Sequence, residues 1–336
     1  MKYLYEEQVA PGELVEISPG VLWLTMPLPF ELDHINLYLL RDKAGWIVID
    51  TGLGTSTTKS LWEQVFDQLD GPISGVLVTH LHPDHVGLAG WIADKFDVPF
   101  YMSQTEYFSA RAFGAGKNGA PKTRDVRYFH QAGLEASLVT QLTSGSDKGY
   151  SSVVSPLPVS YSRLKHGMVL TINQQRWQII IGKGHSPEHV CLFNQDKKIL
   201  ISGDHILPMI TPNIGAYSTE PEANTLKDYL DTLPQFKSLP DDVIVLPAHK
   251  LPFMGLHQRV DELIAHHQEH LNALTDACQQ SQTVASLLPV MFKRELSNGN
   301  MVFAVAECLS HLNYLVSEGV ITRHLNMNGV YEYIQG

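Results

Sequence analysis

Residues 79–85 read Thr79-His80-Leu81-His82-Pro83-Asp84-His85, directly after the apolar run Val76-Leu77-Val78. Three imidazoles and a carboxylate therefore fall within six residues. Imidazole with carboxylate is ligand chemistry for Zn2+ or iron. On an extended segment His80 and His82 point to one side, so they can share a metal. Asp84 and His85, just past the turn, can face a second one. A strand ending at Thr79 hands the whole group to a loop at its carboxyl end, where α/β proteins place their chemistry. In a chain with 16 histidines this motif alone carries little weight, and the remaining ligands must come from elsewhere.

Three further apolar runs supply them. Ile179-Ile180-Ile181 leads through Gly182 and Gly184 to His185. Ile199-Leu200-Ile201 leads through Gly203 to Asp204, and Val243-Ile244-Val245-Leu246 leads through Ala248 to His249. Strand, small residue, ligand thus recurs four times in order. The ensemble His80-x-His82-x-Asp84-His85, Gly184-His185, Gly203-Asp204 and His249 resembles the metallo-β-lactamase superfamily, metallo-hydrolases that include glyoxalase II-like thioesterases, lactonases and nucleases. The resemblance covers roughly residues 20–255.

The resemblance implies two divalent metal ions, with Zn2+ favoured and Fe or Mn2+ also compatible with the donors. One ion would be held by His80, His82 and His185, the other by Asp84, His85 and His249, and Asp204 would bridge both. Asp84 and Asp204 are then the two carboxylates that take part in catalysis. A water shared by two cations roughly 3.5–4 Å apart becomes a hydroxide near neutral pH, and the second cation polarises the attacked carbonyl. The expected activity is hydrolysis of a small thioester, lactone or other ester, of the hydroxyacylglutathione hydrolase or lactonase kind. The alternatives are a single-strand RNA or DNA nuclease on the same two metals, or a mononuclear-iron, sulfur dioxygenase-like enzyme. Flavodiiron relatives usually place Glu where this chain has His82. True β-lactamases are usually shorter and exported, and they often use a Cys ligand; no Cys stands at a ligand position here.

The elements that must position these residues alternate between strands and helices, which implies α/β layers. Val21–Leu24, Ile35–Leu40 and Trp46–Ile49 read as strands, the last ending in Asp50-Thr51-Gly52. Asp50 is either a residue that orients the ligands or a turn or helix-cap aspartate. Helices are expected at Ser60–Asp70 and Gly87–Phe96. The family fold is a four-layer αβ/βα sandwich, assigned to residues 1–255, with an insertion at about 105–165. That insertion carries Gly114-Ala115-Gly116, Gly119-Ala120-Pro121, an expected helix near Val126–Leu142 and the aromatic residues Tyr107, Phe108, Phe113, Tyr128 and Phe129. Packing is the expected role of these rings, and pocket walls the alternative. His189, His205, Asn213, Tyr217 and Lys183 are secondary candidates for contacts around the metals or substrate.

Residues 256–336 read as a separate small α+β domain. Helices are expected at Val260–Ala277, Thr283–Phe292 and Val302–Glu318, then a hairpin around Asn326-Met327-Asn328-Gly329. This order suggests a winged-helix-like domain. From residue 281 onward three basic residues, Lys293, Arg294 and Arg323, face four acidic ones, which argues against DNA binding. His266, His267 and His270 have ligand-like spacing, but with no further ligand nearby in sequence they are expected to form a solvated helix face.

The net charge of −11 disfavours nucleic acid as a partner. A small-molecule substrate and a homodimer are the expected partners. No apolar stretch approaches the roughly 18–20 residues of a membrane span. Met1–Glu7 lacks the apolar centre of a signal peptide, and the three cysteines form no C-x-x-C pair, so a cytoplasmic protein is expected.

Overall fold

The computed structural model describes residues 1–115, 123–144, 149–293 and 295–336. Gly116, Gly119, Ala120 and Pro121 of the glycine-rich stretch, and Arg294, lie outside the described residues. Among the described residues the chain forms two compact units. The first takes in residues 1–115, 149–212 and 235–259; the second takes in 123–144, 213–234 and 260–336. The last segment of the second unit begins at residue 260, and its other two segments lie within residues 1–255.

The first unit is built on two seven-stranded sheets. One runs in the order Val15–Ser18, Val21–Pro27, His34–Asp42, Gly45–Ile49, Ile73–Leu77, Phe100–Ser103, Ser162–Leu164. The other runs Lys2–Tyr3, Phe253–Met254, Ile244–Pro247, Ile199–Gly203, His189–Asn194, Gln175–Gly182, Val169–Ile172. Central strands such as Gly45–Ile49 and Ile199–Gly203 are buried along their whole length. That is why they read as unbroken apolar runs rather than as alternating patterns.

Trp23, Tyr38 and Ile49 from the first sheet and Trp177, Ile179 and Leu246 from the second share one buried core. The other face of the first sheet packs with Trp62, Ile92 and Tyr107, from helices Ser56–Gln68, Ala89–Phe96 and Gln104–Gly114. This is the expected αβ/βα sandwich. Direction then places the chemistry. Gly45–Ile49 and Ile73–Leu77 are parallel, so both deliver their following loops to one sheet edge. Gln175–Gly182 and Ile199–Gly203 are each antiparallel to His189–Asn194, and Ile199–Gly203 is parallel to Ile244–Pro247. The loops carrying His185, Asp204 and His249 therefore all leave the same edge of their sheet.

Polar bonds between the sheets hold these edges in register. Asn36 Nδ2 donates to the carbonyls of Pro247 (2.9 Å) and Lys250 (2.6 Å), and Tyr38 Oη donates to the Pro247 carbonyl (2.8 Å). The Val190 amide donates to the Thr79 carbonyl at 2.9 Å.

Several element ends differ from expectation for local reasons. The strand expected to reach Thr79 ends at Leu77, because the Thr79 amide leaves the ladder to donate to Asp50 Oδ1. The first helix starts at Ser56 rather than Ser60, since Thr55 caps it by accepting from the Thr58 amide. The helix expected at Gly87–Phe96 runs Ala89–Phe96, and a short additional helix, Pro83–Val86, precedes it within the ligand motif. The helix expected near Val126–Leu142 is two, Thr123–Gln131 and Ala136–Thr143. Gly133 interrupts it with φ of 83°, a left-handed conformation that ends helices.

In the second unit the helix Asn298–Ser317 is buried along most of its length, and Ser297 caps its start. Thr283 and Ser286 form a capping box on Val284–Met291. The expected hairpin pairs Ile321–Leu325 with Tyr331–Gln335, and Asn326 Oδ1 closes the turn by accepting from the Asn328 and Val330 amides. Cys191 in the first unit and Cys278 and Cys308 in the second are unpaired and buried. No helix among the described residues is long and apolar enough to cross a membrane.

Candidate metal centre

Asp50 organises the first ligand loop. It sits at the end of Gly45–Ile49 with φ of 58°, and its buried carboxylate turns toward the neighbouring strand. Oδ1 accepts from the Thr79 amide (2.8 Å), while Oδ2 accepts from the Thr79 hydroxyl (2.7 Å) and from His85 Nδ1 (2.8 Å). Of its two expected roles, orienting a ligand is the one this geometry serves. The Thr79 hydroxyl proton is committed to Asp50, so its oxygen accepts from His80 Nδ1 at 3.1 Å. Thr51 braces the loop from behind, its amide and hydroxyl both donating to the His85 carbonyl at 2.8 Å.

Glu106, on helix Gln104–Gly114, ties the first ligand loop to the one that carries His185. It accepts from the Leu81 amide (3.0 Å), the Ser186 hydroxyl (2.6 Å) and the Glu188 amide (2.8 Å). Burial pushes its pKa up, and these three donors pull against that. A glutamine cannot replace it, because one of its two oxygens becomes an NH2 group facing a donor. Glu106→Gln is expected to cost about 1–3 kcal/mol for each donor left unpaired and to weaken metal binding by roughly 10–100-fold. Parental stability and metal affinity in the variant would remove Glu106 from this role.

The small residues before the ligands of the second sheet have steric reasons. A Cβ on Gly182 would lie 2.3 Å from His205 Cε1. Gly203 has φ of 52°, and a Cβ there would lie 2.6 Å from His189 Cε1. His189 Nε2 in turn accepts the Asp204 amide at 3.1 Å, fixing the backbone of that aspartate. His249 is set by its Nδ1, which donates to the His34 carbonyl at 2.9 Å.

These supports bring the seven sequence-predicted residues into two groups. One holds ligand atoms of His80, His82, His185 and Asp204, the other those of Asp84, His85 and His249, all within 4.8 Å of one another in each group. Asp204 reaches both: Oδ2 lies 3.3 Å from His185 Nε2 and 3.4 Å from His85 Nε2, and Oδ1 lies 3.4 Å from His249 Nε2. Asp84 Oδ2 lies 3.4 Å from His249 Nε2 and 3.6 Å from His85 Nε2.

Proton bookkeeping shows that the groups fit cations. His249 Nδ1 faces a carbonyl and His85 Nδ1 a carboxylate, so both Nδ1 atoms carry the proton. In the neutral rings both Nε2 lone pairs then face carboxylate oxygens, an arrangement that a proton or a metal cation relieves. His85 Nε2 and Asp204 Oδ1 are buried and make no hydrogen bond. The electrostatics agree. Burial lowers the pKa values of His85 and His249, but the Asp204 and Asp84 charges outweigh it and raise both, so the site draws positive charge inward. Burial would raise Asp84, yet His85 and His249 bring it down to about 2, and Asp204 is held well below the carboxylate range by His249 and His85. Burial, together with the neighbouring imidazoles, holds His80 well below its ordinary value and takes His82 to about 3.

Outside the ligand groups, His189 supports Asp204 and His205 packs against Phe236. Lys183 is exposed. Asn213 and Tyr217 belong to the second unit and bond to each other there. Tyr107, Tyr128 and Phe129 are buried packing residues, while Phe108 and Phe113 are exposed. Sequence reasoning missed Glu106, whose only signal is an acidic residue on a helix with apolar neighbours, and the His34 carbonyl, which has none.

The model of the metallo-beta-lactamase superfamily matches residues 31–249, and that of the metallo-beta-lactamase-like C-terminal domain matches 271–336. A beta-lactamase domain protein from Burkholderia ambifaria is 38% identical in a solved structure, with a TM-score of 0.93 over 100% of this chain and 98% of that one. The probable metallo-hydrolase YqjP of Bacillus subtilis is 24% identical over 94% of this chain and 98% of its own length. An atrochrysone carboxyl ACP thioesterase of Aspergillus fumigatus is 24% identical over 80% of this chain and 68% of its own. With the ligand geometry, these likenesses establish that the chain belongs to the metallo-β-lactamase superfamily and is a metallo-hydrolase.

Proposed function

We propose that this protein hydrolyses a small thioester, lactone or other ester at a centre of two divalent cations. The observation that carries the reading is the convergence of seven ligand side chains in two groups joined by Asp204. His80, His82 and His185 would hold one ion, Asp84, His85 and His249 the other, and Asp204 both. Such a pair, when bound, supplies an acidified water and a Lewis acid for the carbonyl oxygen.

The chain's own residues do the positioning. Asp50 and the His34 carbonyl keep the Nδ1 protons of His85 and His249 turned away from the centre. Asp84 and Asp204 stay ionised there, so the centre carries two fixed negative charges against its cations. Glu106 and Asp50 hold the loops in place before substrate arrives, which is where preorganised sites gain rate. A carbonyl substrate also suits a chain of net charge −11 better than a polyanion does. The named thioesterase among the relatives supports a thioester as the first class to try. Imidazole and carboxylate donors favour Zn2+, with Fe and Mn2+ as further candidates.

The test is turnover of acyl thioesters, lactones, aryl esters and single-stranded RNA, before and after chelation and after reconstitution with Zn2+, Fe2+ or Mn2+. At least one carbonyl class should turn over, with activity lost to the chelator and restored by metal. Turnover indifferent to chelation, or cleavage of RNA alone, would overturn the reading.

A further inference from the structure

The second unit holds a group of ligand-type side chains that the hydrolytic centre does not use. Helix Leu256–Ala277 places His266 and His270 one turn apart on one face. Their ring centroids are 4.3 Å apart. Helix Asn298–Ser317 brings Glu307 to the same place. One ligand atom each from His266, His270 and Glu307 lie within 4.8 Å of one another. The three histidines of the first helix were expected to form a solvated face. Instead His267 is fully buried, and the missing ligand comes from a helix distant in sequence.

The surroundings are built around Glu307. Its side chain is 8% exposed. Asn213 Nδ2 donates to Glu307 Oε2 at 3.0 Å, and the Tyr217 hydroxyl fixes the orientation of that amide by donating to Asn213 Oδ1 at 2.6 Å. Among the described residues no Lys or Arg forms an ion pair with Glu307. His311, one turn on, donates from Nδ1 to the Glu307 carbonyl at 2.8 Å, which leaves its Nε2 to accept from His267 Nδ1 at 3.1 Å. That bond joins the two rings, and burial lowers both pKa values well below the usual imidazole range, so neither compensates the carboxylate. His270 Nδ1, like His267 Nε2, is buried and makes no hydrogen bond. Burial holds His270 at about 4 and raises Glu307 to about 7. The pocket thus contains an unpartnered imidazole nitrogen and a buried carboxyl group with no Lys or Arg beside it among the described residues.

We propose that His266, His270 and Glu307 form a third divalent-metal site, separate in its residues from the hydrolytic centre, that takes Zn2+ or a cation of similar borderline character. Two imidazoles and one carboxylate are a donor set that zinc accepts. Asn213 orients the carboxylate, and the His267–His311 pair fills the space beside it. Three protein ligands are one fewer than closed structural zinc sites use, so the ion exchanges with solution. It fastens the helix Leu256–Ala277 to the helix Asn298–Ser317 and stabilises the second unit by mass action.

The experiment is equilibrium dialysis of the full chain against buffered Zn2+, followed by elemental analysis. His266→Gln, on a partly buried residue, and Glu307→Gln are compared with the parent, with circular dichroism as the check on folding. Each variant is expected to hold one equivalent of zinc fewer than the parent while retaining its hydrolytic turnover. Thermal unfolding of the parent should shift upward with added Zn2+ more than that of His266→Gln. A folded His266→Gln protein that binds as much zinc as the parent overturns the site. Loss in His266→Gln without loss in a folded Glu307→Gln reduces it to a surface histidine pair and overturns it equally.

Discussion

Asp204→Asn is expected to lower hydrolysis of a carbonyl substrate by about three orders of magnitude or more and to release metal from both halves of the centre. The carboxylate stands between the two groups, with one oxygen near His85 and His185 and the other near His249. Asparagine keeps the volume but replaces an anionic oxygen with an NH2 group, which can only donate. That donor would point at imidazole nitrogens or at a cation, and it removes a negative charge from a buried site. His82→Ala is the narrower companion, because it takes a donor from one group only. Its expected effect is loss of about one equivalent of metal, with the other ion retained. Elemental analysis beside single-substrate kinetics reads both. Full turnover and parental metal content in either variant would sink the proposed ligand assignment.

Trp62→Ala is expected to destabilise the first unit by about 3–5 kcal/mol. Trp62 is fully buried on helix Ser56–Gln68 and stacks on Phe66 at 5.4 Å between ring centroids. Its indole Nε1 donates to the Thr51 carbonyl at 2.8 Å. Thr51 is the residue whose amide and hydroxyl hold the His85 carbonyl, so the cavity would open directly behind a proposed ligand. Trp62→Phe separates the two contributions: it keeps most of the packing and loses the hydrogen bond, at about 1 kcal/mol. Chemical denaturation measures the difference. A cost below about 1 kcal/mol for the alanine variant would show that the helix repacks around the gap.

The seven converging residues were legible because each group follows a largely buried stretch of strand, and such stretches appear as apolar runs that lead through small residues to a ligand. The steric need at Gly182 and Gly203, against His205 and His189, is the physical content of that pattern. The resemblance to a family then grouped the residues by metal, which spacing alone does not do. Residues that act across the fold were not legible. Glu106 is joined to Leu81, Ser186 and Glu188 only by tertiary packing, and nothing local marks it. The same limit hid Glu307 from the reading of His266 and His270, because it lies on another helix. Helix boundaries slipped where side chains, not periodicity, decide the end: the Thr55 cap and the left-handed Gly133.

The three buried cysteines have a practical consequence. A thiol reagent cannot reach Cys191, Cys278 or Cys308 in the folded chain, so labelling requires an opening event. Cys191 reports on the first unit, and Cys278 and Cys308 report on the second. Mass spectrometry of a labelled, digested sample would therefore time the breathing of each unit from a single tube, without any introduced probe. Added zinc would be expected to slow modification of Cys278 and Cys308 in particular if the third site is filled.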